Sequence, residues 1–253
     1  EETSQQLHVL QREDGSLTGN LQQIDELLRG YWLDIFRLYE AVPEPSWEAF
    51  RDRYRRCLPA RSEMQQIPLT PERLKATLDR MDPGASMGAD GWRVAELKAM
   101  PEAWLSRLCS LFHHVEATGK WPKALQIGLI SPIPKEEGLQ PKRTRPITVM
   151  STVYRLWAAT RVQELLQWQE QWISPRLHSY RPERGCEDAW WSQALDIEDA
   201  LLSGRPLAGI SLDWAKAFDR IPHAILLGLA EATGVEPSIM RAVRGMYTGL
   251  ERR

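Results

Sequence analysis

Apolar residues recur at intervals of three and four from Leu21 to Ala41, at Ile24, Leu27, Leu28, Trp32, Ile35 and Leu38, a spacing that predicts an amphipathic helix. Ser46 reads as the N-cap of a second helix running through Trp47, Phe50 and Tyr54 to about Leu58. A linker at Met64 to Pro68 follows. Thr70-Pro71-Glu72 then starts a helix that Pro83-Gly84 ends after Met81. Beyond a glycine-rich turn at Ser86 to Trp92, the pattern predicts a long helix from Val94 to Thr118, kinked near Pro101 and stopped by Gly119. Gln126 to Ile133 and Arg145 to Met150 read as strands of a hairpin with a long basic loop. Ser151 caps a helix to about Trp172, and Cys186 to Leu202 forms another. A short strand at Gly209 to Asp213 and two helices, Pro222 to Thr233 and Pro237 to Leu250, complete the chain. The first 20 residues are polar and carry turn signals, which predicts a loose arm. The order gives a mixed α+β fold with an antiparallel component.

With 253 residues, 43% of them hydrophobic, the chain is long enough for one large domain or a domain with a smaller lobe. Its net charge of -2 argues against a protein that coats nucleic acid without selectivity, so any such contact is local. Cations cluster at Arg51 to Arg56, Lys142 to Arg145, and Arg241 to Arg253. Cys57, Cys109 and Cys186 form no CxxC pair, which points away from a disulfide framework or a zinc site and towards a reducing, intracellular compartment. No apolar run is long enough for a membrane span, and no leader pattern occurs. The first residue is Glu1 and the last follows directly on a helical pattern, so the chain reads as a piece of something longer.

The segment from Gly209 to Arg220 carries the chemistry. On a period of two, Ala208, Ile210 and Leu212 share an apolar face, while Gly209, Ser211 and Asp213 share the other. Small residues beside Asp213 leave open volume above its carboxylate. An Asp at a strand end serves either as a helix cap or as a metal ligand. Phe218, five residues on, either packs under the next helix or faces a ligand. Lys135 and Arg145 flank the hairpin loop, where two cations can converge on one polyanion, or simply stand on the surface. The turn at Gly88-Ala89-Asp90-Gly91 can approach a strand of nucleic acid closely, though a turn joining two helices looks the same.

Four blocks resemble the reverse transcriptase domain of non-LTR retrotransposons and, more distantly, of group II intron maturases. They are Gly88-Ala89-Asp90-Gly91 with Glu96-Leu97; Pro132 to Lys135 with Arg145-Pro146-Ile147; His178 to Pro182 through Gly185 to Ala189; and Asp213 through Phe218-Asp219. Met87, Tyr180 and Cys186 depart from the residues usual in that family. Covering roughly residues 70 to 250, the resemblance implies an incomplete right-hand polymerase, with fingers and the first part of the palm behind a helical extension. The implied divisions are 1–66 for the arm and extension, 67–177 for a fingers-like part and 178–253 for the start of the palm.

The resemblance also implies roles. Asp213 is the catalytic carboxylate and, with the Trp214 carbonyl, a ligand to Mg²⁺, with Mn²⁺ as a possible substitute. Lys135, Arg145 and Phe218 bind a deoxynucleoside triphosphate, with Phe218 excluding a 2'-hydroxyl. Gly88, Asp90, Gly91, Tyr180 and Arg181 contact nucleic acid, Tyr180-Arg181 by stacking on and clamping a single strand. The partners are an RNA template, a DNA primer and deoxynucleoside triphosphates, and the compartment is nucleus or cytoplasm.

Members of that family hold their metals with a further strand ending in two aspartates, and no Asp-Asp dipeptide occurs among these 253 residues. The chain by itself is therefore expected not to polymerise. A decayed, non-catalytic relic that binds nucleic acid or another partner is the competing reading. An Asp-nucleophile phosphatase is set aside, because Ala215 stands where it needs a second Asp.

Overall fold

A computed structural model describes residues 7–135 and 138–253. The tip of the basic loop at 136–137 and the start of the expected arm lie outside the described residues. The rest of that arm is ordered into a small hairpin, β1 (Leu10–Gln11) and β2 (Leu17–Thr18), turning at Gly15 with φ 85°. Asp14 sets the turn by accepting from the Ser16 amide at 2.9 Å.

Helices follow where caps and periodicity place them. Asn20 caps α1 (Leu21–Phe36), and α2 (Leu38–Ala41) continues it after a break; Ser46 caps α3 (Trp47–Tyr54), and Thr70 caps α4 (Pro71–Arg80). The kink expected near Pro101 is a full break. Proline there disfavours helical backbone at Met100 and supplies no N–H, so α5 (Val94–Lys98) ends and α6 (Glu102–Thr118) starts anew. Strands β3 (Ile127–Pro134) and β4 (Thr144–Val149) form the expected hairpin, followed by α7 (Thr152–Gln169) and α8 (Cys186–Ser203). A single turn, α9 (Ala217–Arg220), precedes α10 (His223–Thr233) and α11 (Pro237–Gly249). The chain ends in β5 (Glu251–Arg252), which pairs in parallel with the start of β3 and gives the sheet order β4-β3-β5.

No strand forms at 209–213. The period-two alternation is present in the sequence, but a strand needs a neighbour for its backbone groups, and among the described residues none lies beside this segment. Ile210 and Leu212, the face expected to seek a core, are 88% and 74% exposed. Where the sequence-based expectation puts a palm strand, the described chain is thus an irregular segment without a ladder partner.

The core lies among α4, α5, α6, α7 and α11, where Leu74, Leu78, Phe112, Val115, Leu156 and Ile239 are buried together. Helix α11 crosses the end of α6 so closely that a Cβ on Gly245 would stand 1.8 Å from the Gly119 carbonyl oxygen. The Trp121 indole donates to the Ala242 carbonyl at 2.7 Å and ties the same junction.

Through this apolar core runs a charged layer. The buried Arg161 of α7 donates to Glu116 of α6 at 2.7 and 2.8 Å, and to Glu164, one turn further along its own helix, at 2.8 Å. Arg73 of α4 reaches Glu164 at 2.6 Å. The remaining acceptor capacity is used by the Trp157 indole and Gln66 on Glu116, and by the Ile67 amide on Glu164. Two carboxylates and two guanidiniums balance formally, and each buried carboxylate oxygen is occupied.

Two outcomes follow. Glu116→Ala strands a buried guanidinium and should cost about 3–5 kcal/mol of unfolding free energy, read as a lower urea midpoint at unchanged slope. Gly245→Ala should cost about 1–3 kcal/mol by prising α11 from α6, measured in the same way.

Candidate functional site

The hairpin's hydrogen-bonding pattern fixes where its cations stand. Pro132 and Pro146 face each other across the ladder, and neither has an N–H to donate, so theirs is a pair without cross-strand bonds and the bonding pairs flank it at 131/147 and 133/145. Arg145 is opposite Ile133 and shares its face. Lys135, two residues beyond Ile133, returns to that face, its amide bonded to the Arg143 carbonyl at 2.8 Å. The structure therefore brings Lys135 and Arg145 to one side of the hairpin. Both are exposed, and Arg145 has no ion-pair partner among the described residues.

The base of the hairpin is bolted to α1. Trp32 is 5% exposed, and its indole donates at 3.0 Å to the hydroxyl of Thr144, which itself donates to the Pro141 carbonyl at 2.7 Å. A groove of about 650 Å³ runs between α1 and the hairpin, lined by Leu28, Trp32, Phe36, Pro132, Pro146 and Tyr247, with Arg29, Arg37 and Arg252 at its edges. The Arg252 guanidinium lies 5.0 Å from the centre of the Phe36 ring.

After α8, which Gly204 ends at φ 64°, the ribbon from Arg205 to Trp214 carries Asp213 at the surface, exposed to solvent. The carboxylate is neither packed in apolar protein nor paired among the described residues. Trp214 is exposed as well. The chain then turns at Lys216, and α9 presents Phe218, which is 76% exposed. Tyr39 secures the far end of this turn by donating to the Arg220 carbonyl at 2.9 Å.

Tyr180 meets Phe218 edge to face, with ring centres 6.2 Å apart at 86°. Two expected site residues, far apart in sequence, thus form one exposed aromatic pair. Tyr180 has φ 57°, a left-handed conformation that costs a residue with a Cβ about 1–2 kcal/mol. Its neighbour explains how this is sustained. Arg181 is turned inward, forked onto Glu170 at 2.8 and 2.6 Å and bonded to the carbonyls of Ser174 and Leu177. The Arg181 hydrogen bond holds the Glu170 carboxyl below its ordinary range. A guanidinium so occupied shapes the loop and leaves Tyr180 alone on the outside.

The Gly88–Gly91 turn joins α4 to α5 and packs on the junction between β4 and α7. A Cβ on Gly88 would lie 2.4 Å from the Met150 carbonyl oxygen, and Gly91 takes φ 71°. Asp90 accepts from the Val153 amide at 3.1 Å, supplementing the Ser151 cap of α7. These three residues are not brought to Asp213 by any described contact.

Sequence reasoning missed Trp32, Thr144 and Lys216, which connect the pieces. Trp32 reads as one more apolar position of an amphipathic helix, and only its indole N–H hints at a polar partner. Among the described residues no three His, Cys, Asp or Glu side chains converge as a metal site, so Asp213 with the Trp214 carbonyl does not by itself make one.

His223 lines the groove, its ring 4.7 Å from that of Tyr247. Burial, and then the Arg252 cation, hold its pKa below the ordinary imidazole value, against a weaker upward pull from Glu44. The folded chain therefore binds fewer protons here than the unfolded chain. Stability is complete above the unfolded value and falls as pH drops through the lowered one. The ring keeps an open edge, so the slope is modest. Between about pH 7 and pH 5 the urea midpoint should decline, and His223→Phe should flatten that decline.

Residues 133–252 match the family described as Reverse transcriptase (RNA-dependent DNA polymerase). The matched span takes in Lys135, Arg145, Tyr180, Asp213 and Phe218. The chain is similar, at 27% identity over 251 residues, to the Transposon TX1 uncharacterized 149 kDa protein of Xenopus laevis, a match covering 97% of this chain and 19% of that protein. It is also 26% identical over 185 residues to the Retrovirus-related Pol polyprotein from a type-2 retrotransposable element of Drosophila melanogaster, covering 72% of this chain and 17% of that protein. The chain thus spans about a fifth of the length of these curated relatives.

Proposed function

We propose that the chain carries part of a reverse transcriptase domain of the non-LTR retrotransposon type and supplies the nucleotide-facing half of an active site for template-directed DNA synthesis on RNA, a reading supported by the family match over residues 133–252 and by the two retrotransposon relatives. The full-length protein extends a DNA primer along an RNA template with deoxynucleoside triphosphates. In this reading residues 67–177 are the fingers-like part, 178–253 begin the palm, and 1–66 are an extension. The observation that carries it is the exposed Asp213 and Phe218 on a turn lying against α1, the same helix that bolts down the hairpin carrying Lys135 and Arg145.

Each side chain has a task its chemistry suits. Arg145 offers a planar fork to phosphate oxygens and Lys135 a compact point charge. Pro146 restricts the backbone of Arg145 and so fixes where its side chain starts. Phe218, braced by Tyr180, stands under the sugar, where a 2'-hydroxyl would collide with the ring. Reverse transcriptases work with divalent metal ions, and Mg²⁺ is the ion proposed. The hard oxygens of Asp213 and Trp214 are the ligands this chain would bring, and more are needed to complete a site. The nucleic-acid contact assigned to Tyr180 is stacking, and the Gly88–Gly91 turn acts on the template only through the β4–α7 junction it supports.

Primer extension by the full-length protein tests the reading. Asp213→Ala should lower synthesis on the order of a thousandfold while primer–template affinity stays within about twofold, and retained synthesis would remove Asp213 from the site. Phe218→Ala should raise ribonucleotide incorporation relative to deoxyribonucleotide; unchanged discrimination would assign the ring to packing.

A further inference from the structure

Every residue from Leu201 to Ala215 is exposed, and the first to be even partly covered is a lysine, Lys216. A long cation is an unexpected choice for the first side chain after the ribbon to turn inward. Its ammonium lies 3.9 Å from the centre of the Trp32 ring and 5.5 Å from that of Tyr31, and it donates to the Lys142 carbonyl at 3.4 Å. Cation and ring faces attract, and the partly dry setting strengthens that attraction. The backbone at Lys216 is left-handed, with φ 54° and ψ 43°, so the turn between Asp213 and Phe218 is bent against its preference. Something must hold it bent, and the side-chain contacts of this same residue are available to do so.

The partner of Lys216 is itself fixed. Trp32 is hydrogen-bonded to Thr144, the residue before Arg145. Contacts therefore run from the Asp213–Phe218 turn through Lys216 and Trp32 to the strand that carries Arg145. The Lys216 ammonium also feels Lys135: burial first, and then that neighbouring cation, hold its pKa below the usual lysine range. Lys135 is thus close to the turn's anchor, while Arg145, one residue beyond Thr144, leaves the other face of the same strand.

We propose that Lys216 is a positioning residue, whose ammonium, seated on Trp32 and the Lys142 carbonyl, sets Asp213 and Phe218 in place relative to the hairpin loop flanked by Lys135 and Arg145. Helix α1, which contributes no reacting group, thereby becomes a structural part of the nucleotide site. The inference rests on the nucleotide-site reading given above.

The test is steady-state primer extension by the full-length protein with Lys216→Met, Lys216→Arg, Trp32→Leu and Asp213→Ala, accompanied by melting curves and primer–template binding. Lys216→Met should raise the KM for deoxynucleoside triphosphate on the order of tenfold, with unchanged melting and primer–template affinity, as expected for a small displacement of positioned groups. Lys216→Arg, which also stacks on an indole, should restore KM to within about threefold. Trp32→Leu should reproduce the KM effect, and adding Lys216→Met to it should worsen it little, because both remove one contact. Since Trp32 is buried and its loss can unfold the helix, hydrogen exchange in the 253-residue chain provides a second readout. Amides of 214–221 should exchange faster in Lys216→Met while those of α6 and α7 do not change. Loss of synthesis in Asp213→Ala with a normal KM in Lys216→Met would overturn the positioning role, as would unchanged exchange at 214–221. Full synthesis in Asp213→Ala would instead overturn the nucleotide-site reading.

Discussion

An arginine held between two carboxylates inside the apolar core leaves the surrounding helices few alternatives. Arg161 joins α7 to α6 through Glu116, and Glu164 carries the connection to α4 through Arg73. Desolvating four charged groups offsets much of their attraction, so the network adds less to net stability than its short distances suggest. Its effect is on choice of arrangement, since a shift of any one helix would leave a charge buried without its partner. Helix α7 is thereby fixed in rotation and height. Its N-terminus receives β4 from the hairpin, and its C-terminus leads into the loop that Arg181 ties to Glu170. Both the face bearing Arg145 and the position of Tyr180 therefore trace back to this charged layer.

The apolar core and the site are built on different rules. In the core, the charged groups of Arg161, Glu116 and Glu164 exchange water for protein partners, and glycines appear where two backbones nearly touch, as at Gly119 and Gly245. Around Asp213 the polar groups keep their water and the rings of Tyr180, Trp214 and Phe218 lie open. Left-handed backbone at Tyr180 and Lys216 falls in this second region, each case next to a side chain that braces the bend.

Much of the architecture was legible in the sequence, for local reasons. Asn20, Ser46, Thr70 and Ser151 are short polar residues followed at once by helical periodicity, and all four caps close with bonds spanning only three residues. The hairpin was readable from its alternating strands, and the candidate cations from their places beside its loop. What escaped depends on residues distant in sequence. Arg161 and Glu116 are 45 positions apart, and Trp32 and Thr144 are 112 apart. No local pattern announces either contact. The expected strand at 209–213 failed for the same reason in reverse: alternation is written locally, whereas a ladder needs a second stretch of chain. Arg181 looked like a hand for nucleic acid because sequence shows its charge and not the carboxylate of Glu170 below it.

The ribbon from Arg205 to Trp214 has a consequence for how the polypeptide behaves when concentrated. Its peptide groups lack ladder partners among the described residues, and Leu207, Ile210 and Leu212 stand bare along it, next to an α8 whose Trp190, Leu201 and Leu202 are equally uncovered. Backbone without ladder partners and with exposed apolar flanks tends to adhere to its own kind. Purified alone, the chain would be prone to associate through this stretch in proportion to its concentration, and a charged residue placed at Ile210 would be the most economical way to keep it dispersed.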